Sequence, residues 1–532
     1  MPTAPNFLIE PFPNNLVELI ERSVRQQPEH IAVSSSGLKT TLNYGQLDRL
    51  LQSARSQLVA KKIKRGDAVF LISDNSVEFV IGLLAIISLG ATTVPLSPSL
   101  TTQEWVDRFA ALPARAALIA EQLVNHFPFD DPGLDSIFKW IIRVEGSGAG
   151  ASVHIHGTSD AATNTDDGDS VPSATVADKN VALILFTAGS TSAPKAVPLT
   201  HQNVIASVRH IALGYELSPQ DATLLVMPLY HGHGLIAGLL ATLASGGSAY
   251  LPSTGSFSAH LFWQDAVRTA MTWYTAVPTI HRILVNRAQQ EYPGETAIAL
   301  RFIRSCSAPL DDKLVHDITK TFHAPVISAY GMTETAHQVS SNPLPDRGVN
   351  KASSVGLPTG VAIKIVRDDR TEAEVNEVGE VLVCGETLTP GYINNAEANA
   401  SGFLGGWFHT GDLGCKDEDG YLYLKGRLKE LINRGGDKVS PHDVDQVLIS
   451  YPKVLEAATF GKSDPVYGEV VQAAVSFRQG EVATENELRD FCRSKLSAFE
   501  VPQRIFIISD FPKTAKGSID RRALAKQLIQ AH

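Results

Sequence analysis

The chain has 532 residues, with 46 basic and 56 acidic side chains, and therefore a formal net charge of −10. This acidic balance argues against a general nucleic-acid-binding protein, which needs a basic face to displace counterions. Hydrophobic residues make up 44% and charged residues 19% of the chain, as in a globular protein. The length is enough for about two to four domains.

The sequence carries no clear membrane or export signal. Its longest strongly apolar run, Phe79–Ala91, is too short to span a bilayer, and the N-terminus has no recognisable secretory pattern. The C-terminal Gln-Ala-His is unlike a peroxisomal Ser-Lys-Leu address. Four widely separated cysteines lack metal-ligand spacing and indicate reduced thiols. We therefore predict a cytoplasmic enzyme.

Helical and extended patterns alternate along the N-terminal part of the chain. The predicted elements are the helices Asn14–Gln27, Tyr44–Ala60 and Val77–Leu89 and the strands Ile31–Ser34, Ala68–Ile72 and Thr92–Pro95. The alternation resumes from Ala116 onward. This order predicts an α/β fold with a largely parallel sheet.

Three regions with other sequence patterns follow. Residues 146–179 are rich in small and polar residues and predict a flexible surface loop. Short alternating segments from about residue 361 to 425 predict a small β subdomain. The last part has an α+β pattern, with helices Val444–Ser450, Glu485–Leu496 and Arg521–Gln530 and strands Val470–Phe477 and Gln503–Ile508. We predict a large N-terminal domain, 1–426, of α/β subdomains plus the β subdomain, and a small α+β C-terminal domain, 427–532.

A candidate phosphate loop follows the apolar segment Leu183–Phe186. Its sequence is Thr187-Ala-Gly-Ser-Thr-Ser-Ala-Pro-Lys195. Small residues let the backbone curl around an anion, hydroxyls add donors, and Lys195 adds a positive charge. The loop lacks the Gly-Lys-Ser/Thr ending of a Walker motif. Taken alone, it predicts either a phosphate site or a polar surface loop after a strand.

Four further motifs follow in order. They are Tyr330-Gly-Met-Thr-Glu-Thr335, Trp407-Phe-His-Thr-Gly-Asp412, Gly426–Pro441 and Pro512–Ser518. With the phosphate loop they resemble the adenylate-forming (AMP-binding) superfamily of acyl-CoA synthetases along essentially the whole chain. The segments Arg304–Ser307, His231–His233 and Thr335–Gln338 resemble the oxalate–CoA ligases of plants and fungi. The resemblance implies ATP, Mg²⁺ and CoA as cofactors, and a C-terminal domain that moves between the two half-reactions.

The resemblance also assigns roles to individual residues. The implied catalytic residues are Lys195, Thr333, Glu334 and Lys516, and Glu334 is also the Mg²⁺ ligand. The implied nucleotide and cofactor contacts are Thr187, Gly189, Ser190, Thr191, Ser192, Ser307, Ala308, Pro309, Tyr330, Asp412, Arg427, Gly435 and Gly436. Gly435 and Gly436 would let the backbone approach the pantetheine arm of CoA. Lys429 matches the hinge about which the small domain rotates.

Two positions depart from the superfamily pattern. Ala188 stands where the phosphate loop of relatives usually has Ser, and Ser518 stands where they have the Lys that reaches into the site during adenylation. A hydroxyl cannot replace an ammonium electrostatically. Lys516, two residues earlier, would partly reach the site if the segment is extended. The alternative is a homologue impaired in adenylation, with a binding or regulatory role.

The predicted acid pocket is unusually polar. Arg304 would bind a substrate carboxylate, although a structural Arg on a strand is the alternative, and His231, His233 and His337 would line the same cavity. Such groups suit a small carboxylic or dicarboxylic acid such as oxalate, because buried unpaired polar atoms cost about 1–3 kcal/mol each. Medium-chain or aromatic acids are the alternative substrates. CoA is the simpler acyl acceptor than a carrier protein, and the oligomeric state stays open.

Overall fold

The chain folds around four β-sheets in a computed structural model that describes residues 13, 15–35, 40–135, 137–157, 177–187, 194–513 and 519–530. Helices pack on the two larger sheets, and the predicted α/β class is confirmed. The helices are Leu16–Gln26, Tyr44–Ala60, Val77–Ser88, Thr102–Ala111, His201–Gly214, Ala241–Ala244, Phe262–Arg268, Pro278–Glu291, Asp312–Phe322, Ala396–Gly402, Pro441–Ser450, Glu485–Arg493 and Arg521–Gln530. Within the described ranges, no helix is long and apolar enough to cross a bilayer.

The first sheet has nine strands and carries most of the predicted acid pocket. Its order is Leu357–Pro358, Ser340–Ser341, Val326–Tyr330, Phe302–Ser305, Trp273–Ala276, Ala222–Leu224, Ser248–Leu251, Ile31–Ser35 and Thr40–Asn43. The strands from Val326–Tyr330 to Ile31–Ser35 run parallel. Parallel strands end at the same edge of a sheet, where open α/β sheets bind ligands. The segments after Ser305 and Tyr330 therefore meet there.

The second sheet has seven strands and corrects one prediction. Its order is Ser152–Gly157, Phe138–Glu145, Ala116–Ala120, Ala68–Ile72, Thr92–Leu96, Val181–Phe186 and Ala196–Thr200. Ser152–Gly157 lies inside the predicted loop 146–179 but pairs antiparallel with Phe138–Glu145. Its Val153 and Ile155 are buried. That burial stabilises a strand despite the small residues before it. Residues 158–176 lie outside the described ranges.

One helix is buried all round because it packs in the core next to the second sheet. Every residue of Val77–Ser88 is buried, and its N-terminus is capped by the Ser76 side chain, which accepts from the backbone N–H of Phe79. Such a cap satisfies one of the helix's unpaired donors. A helix that is buried on all sides is apolar all round, as a membrane segment is. This explains why the longest apolar run of the chain is a core helix.

The third and fourth sheets build the C-terminal third. The third contains Val361–Val366, Gly379–Gly385, Phe403–Leu404, Trp407–Lys416 and Leu422–Arg427, and all of its pairs are antiparallel. The fourth contains Ile432–Arg434, Asp437–Val439, Val454–Asp464, Gly468–Phe477 and Arg504–Ile507. The change of sheet falls between Arg427 and Ile432. The domain boundary at 426/427 stays a prediction.

Candidate functional site

A buried carboxylate lies where the third sheet meets the first. Asp412 pairs in register with Arg427 on the neighbouring strand, and Arg427 Nε lies 2.9 Å from Asp412 Oδ1. The Tyr330 hydroxyl donates to Asp412 Oδ2 at 2.5 Å. Burial raises the pKa of Asp412, while Arg427 and the Tyr330 hydroxyl oppose that rise. Asp412 is 4% exposed, so these two donors keep a desolvated acceptor in place.

A second group joins Lys195, Tyr392 and Glu334. The Tyr392 hydroxyl donates to Glu334 Oε1 at 2.8 Å, and Lys195 Nζ lies 4.4 Å from the centre of the Tyr392 ring. Thr333 shares the one-turn 3₁₀ helix Thr333–Thr335 with Glu334. Burial and the adjacent Glu334 raise the pKa of Tyr392. One ring therefore separates the predicted phosphate-binding cation from the predicted metal-binding carboxylate.

The two ends of the phosphate loop are held together. Thr187 N donates to Lys195 O at 3.0 Å, and Lys195 N donates to Thr187 Oγ1 at 3.2 Å. The flanking strands pair antiparallel, with Phe186 opposite Ala196, so the two described ends of the loop lie side by side. The predicted loop residues Gly189, Ser190, Thr191 and Ser192, and Ala188, lie outside the described residues.

The third group is a chain of hydrogen bonds around a buried histidine. His233 Nδ1 lies 3.0 Å from Ser307 Oγ, and its Nε2 lies 2.6 Å from Thr275 Oγ1. His233 begins the π-helical segment His233–Leu240, a rare conformation that often marks functional positions. The next residue must be glycine, since a Cβ on Gly234 would lie 2.5 Å from two backbone oxygens. Burial lowers the pKa of His233, with further lowering by His337 and Arg304, so the ring is neutral.

His337 stacks on His233, with ring centres 4.8 Å apart. A Cβ on Gly331 would lie 2.3 Å from His337 O, so the absence of a side chain lets this segment fold back on itself. Ser307, Ala336 and His337 have φ values of 73°, 47° and 67°. Such conformations cost non-glycine residues about 1–3 kcal/mol and gather at functional sites. Strained backbone therefore surrounds the predicted acid pocket.

Arg304 lies inside the strand Phe302–Ser305 and is fully buried, so its predicted contact with a substrate carboxylate stays a prediction. Its Nε donates to the Tyr215 hydroxyl, Nη1 to Thr275 Oγ1 and Nη2 to Gln338 Oε1, at 3.0–3.1 Å. All three guanidinium nitrogens thus have protein partners, and the side chain is fully buried. The sequence left two roles open for this residue: an Arg that binds the substrate carboxylate, and a structural Arg on a strand.

The remaining predicted residues lie on several other parts of the chain. His231 is half-buried, and its ring contacts Tyr230 with centres 4.7 Å apart. Ala308 and Pro309 follow Ser307 at the end of its strand. Gly435 and Gly436 form the turn between the strands Ile432–Arg434 and Asp437–Val439, with φ of 63° and 102°. Lys429 is exposed between the third and fourth sheets, so its hinge role stays a prediction. Lys516 and Ser518 lie outside the described residues.

Comparison with known proteins agrees with this arrangement. The profile of the AMP-binding enzyme family matches residues 20–393, and that of the AMP-binding enzyme C-terminal domain matches residues 443–518. This chain belongs to the AMP-binding enzyme family. The predicted superfamily membership is therefore confirmed.

Relatives of this AMP-binding enzyme are CoA ligases. The chain is 42% identical to the oxalate–CoA ligase of Arabidopsis thaliana, covering 97% of this chain and 99% of that protein. It is 44% identical over 355 residues to the oxalate–CoA ligase of Saccharomyces cerevisiae, covering 66% of this chain and 64% of that one. Its fold matches the o-succinylbenzoate CoA synthetase of Bacillus subtilis in complex with the acyl-adenylate intermediate, with a TM-score of 0.79, 26% identity and coverage of 95% and 97%.

The side chains of this AMP-binding enzyme fit a nucleotide with a divalent cation. Asp412 is an acceptor suited to hydroxyls, and Lys195 is a cation suited to phosphates. Among the described residues, no group of three carboxylates, histidines or cysteines could hold a metal ion by itself. Mg²⁺ is commonly bound by one or two carboxylates plus substrate phosphates, so Glu334 alone fits that mode.

Sequence reasoning missed three residues of the site. Tyr392 follows Pro390-Gly391, a turn pattern, and this pattern does not indicate that Tyr392 would bind Glu334. Gln338 lies within the segment Thr335–Gln338 and Thr275 lies outside the motifs named above, and no pattern indicates that both bind Arg304. The sequence separations from Arg304 are 29 and 34 residues. Sheet register, rather than local sequence, brings these partners together.

Proposed function

We propose that this AMP-binding enzyme is an ATP-dependent acid–CoA ligase for a small carboxylic or dicarboxylic acid such as oxalate. The observation that carries the proposal is the polar end of the pocket, where His233 bonds Ser307 beside His337. Identity of 42% to an oxalate–CoA ligase over 97% of the chain supports it. A long apolar chain would cover the exposed Ser307 hydroxyl and cut it off from water, at a cost of about 1–3 kcal/mol.

The reaction has two displacements. A carboxylate oxygen of the acid attacks the α-phosphorus of ATP, the bond to pyrophosphate breaks, and an acyl-adenylate forms. The CoA thiol loses its proton to solvent, the resulting thiolate sulfur attacks the acyl carbon, and AMP leaves with the bonding electron pair. Both steps bring anions together, so positive charge at the phosphates lowers the barrier.

The named side chains would divide this work. Lys195 would neutralise the phosphates, and Asp412, held by Arg427, would accept the ribose hydroxyls. Tyr392 would orient the Glu334 carboxylate through its 2.8 Å hydrogen bond. Mg²⁺, when bound at Glu334, would supply further neutralisation of the phosphate charge. Gly435 and Gly436 would face CoA after rotation about Lys429.

The test is AMP release with CoA present, over oxalate, malonate, acetate, a medium-chain acid and benzoate. We expect the highest kcat/KM with a small dicarboxylate, and acetate controls for the second carboxylate. Glu334→Gln should abolish release, whereas Glu418→Gln, at an exposed turn, should not. Preference for the medium-chain acid or benzoate would overturn the proposed substrate. AMP release in Glu334→Gln equal to wild type would overturn the assigned metal role.

Ser518 makes the adenylation step a separate question. We propose that Lys516 supplies the missing charge, and that the first half-reaction is slowed rather than lost. Pyrophosphate exchange on wild type, Lys516→Ala and Ser518→Lys tests this. Exchange that Lys516→Ala removes supports the proposal. No exchange in wild type, with rescue by Ser518→Lys, would refute it and favour the impaired homologue with a binding role.

We also propose a cytosol-like location. All four cysteines of the chain are free, and three of them are buried, which suits a reducing compartment. Fluorescent tags placed separately at each terminus test this, because a tag at one end alone would mask a terminal address. Peroxisomal signal with the N-terminal tag would contradict the proposal.

A further inference from the structure

A continuous path of hydrogen bonds runs from the buried Arg304 to the exposed Ser307. Arg304 Nη1 lies 3.1 Å from Thr275 Oγ1, which lies 2.6 Å from His233 Nε2. His233 Nδ1 in turn lies 3.0 Å from Ser307 Oγ. Arg304 and His233 are 0% and 2% exposed, so water does not compete for these groups. Ser307 at the other end is exposed.

Donor and acceptor rules give this path a direction. A guanidinium only donates, so Thr275 Oγ1 accepts from Arg304. Among the described residues, the other hydrogen bond of this hydroxyl is the one to His233 Nε2. If Nε2 carried a proton, the hydroxyl proton of Thr275 would have no acceptor in a buried place, which is costly. The Thr275 proton therefore points at Nε2, and Nε2 is the acceptor.

The direction continues through the imidazole ring. A neutral histidine that accepts at Nε2 carries its proton on Nδ1. His233 therefore donates from Nδ1 to Ser307 Oγ, whose own proton is left to point away from His233. Ser307 has a left-handed backbone, with φ of 73°, and its Oγ lies 3.0 Å from His233 Nδ1. The exposed end of the path is a hydrogen-bond donor.

We propose that Arg304 is a positioning residue that acts on the acid through Thr275 and His233, so that Ser307 donates its hydroxyl proton to an oxygen of the bound acid. The proposal rests on the acid–CoA ligase function and refines its acid subsite. The recognised group is an anionic acceptor such as a carboxylate. A neutral amide of the same shape binds less tightly because a charged acceptor makes the stronger hydrogen bond.

Thr275→Val tests the path, since it keeps the shape and removes the hydroxyl. Thr223→Val is the matched control: Thr223 is fully buried on the adjacent strand, and its hydroxyl has no hydrogen-bond partner among the described residues. We expect Thr275→Val to raise KM for the acid about tenfold and to leave KM for ATP unchanged. Thr223→Val should change neither. Equal effects of the two variants would overturn the proposal.

The tautomer of His233 gives a readout that a merely structural role would not affect. We label the full chain with ¹⁵N-histidine and assign His233 by its absence in His233→Gln. We expect a protonated Nδ1 and a bare Nε2 in wild type, and loss of this pattern in Thr275→Val but not in Thr223→Val. A protonated Nε2 in wild type would overturn the proposal. This measurement needs no turnover, so it separates failure of the hydrogen-bond path from failure of the proposed ligase function.

Discussion

The stability of the N-terminal part should fall in mild acid because of His201. This side chain is fully buried at the first residue of the helix His201–Gly214. Its Nδ1 accepts from the backbone N–H of Leu16 at 3.3 Å, and its Nε2 has no hydrogen-bond partner among the described residues. Protonation of Nδ1 would break its hydrogen bond with Leu16 N and place a positive charge at the positive end of a helix. It would also leave a cation buried without a counter-ion beside it in the described part of the chain.

The magnitude follows from the shifted pKa. Burial lowers the pKa of His201 from 6.5 to about 4. The unfolded chain therefore binds more protons than the folded chain between these values, and stability falls as the pH drops through this window. Each pH unit below 6.5 costs about 1.4 kcal/mol, so His201 contributes a loss of about 2 kcal/mol at pH 5.

The comparison variant is His201→Asn, whose amide oxygen keeps an acceptor for Leu16 but does not titrate. Urea unfolding at pH 7.5 and pH 5 is followed by tryptophan fluorescence. This signal reports only the N-terminal part, because the five tryptophans are Trp105, Trp140, Trp263, Trp273 and Trp407. Wild type should lose about 2 kcal/mol more than the variant between the two pH values. Equal losses would show that His201 does not carry the effect.

Four further outcomes concern the nucleotide site. Tyr330→Phe removes a hydrogen bond to the buried Asp412 carboxylate, which is worth about 1.5–3 kcal/mol. The Kd for AMP, measured by calorimetry, should therefore rise about 10- to 100-fold. A change in Kd of less than about twofold would contradict the role assigned to Tyr330 and Asp412. Arg427→Ala removes the cation that opposes the burial-driven rise in the pKa of Asp412. In this variant AMP should bind less tightly at pH 6 than at pH 8, whereas a flat profile would argue against Asp412 as the acceptor. Chelating Mg²⁺ should abolish turnover. Tyr392→Phe should raise the Mg²⁺ concentration needed for half-maximal rate about tenfold, because Glu334 loses its orienting hydrogen bond. If this Mg²⁺ concentration is unchanged in Tyr392→Phe, the metal binds elsewhere.

Elements with strong local signals were predictable from the sequence. The helix Tyr44–Ala60 has the predicted bounds because Asn43 and Gln46 form a capping box at its start. The strand Ala68–Ile72 follows a turn and is uniformly apolar. Ser152–Gly157 was missed because the Gly- and Ser-rich residues before it outweighed the alternation of Val153 and Ile155. Pairing with a neighbouring strand decided that segment.

The candidate site was predictable in its membership but not in its connections. Asp412, Arg427 and Tyr330 belong to separate motifs, and the sequence does not reveal that they bond one another. Arg304 shows most clearly what the sequence could not predict, because the Tyr215 hydroxyl, 89 residues away, accepts a hydrogen bond from its Nε. Whether an arginine faces substrate or protein depends on such distant acceptors. Local patterns carry no information about them.

The strained backbone at Ser307 has a consequence for engineering. Glycine adopts a φ of 73° without the penalty that serine incurs, so Ser307→Gly should raise the melting temperature. The same change deletes the hydroxyl that faces the pocket. Selection of variants for heat resistance alone would therefore favour a chain that withstands heat but no longer recognises its acid.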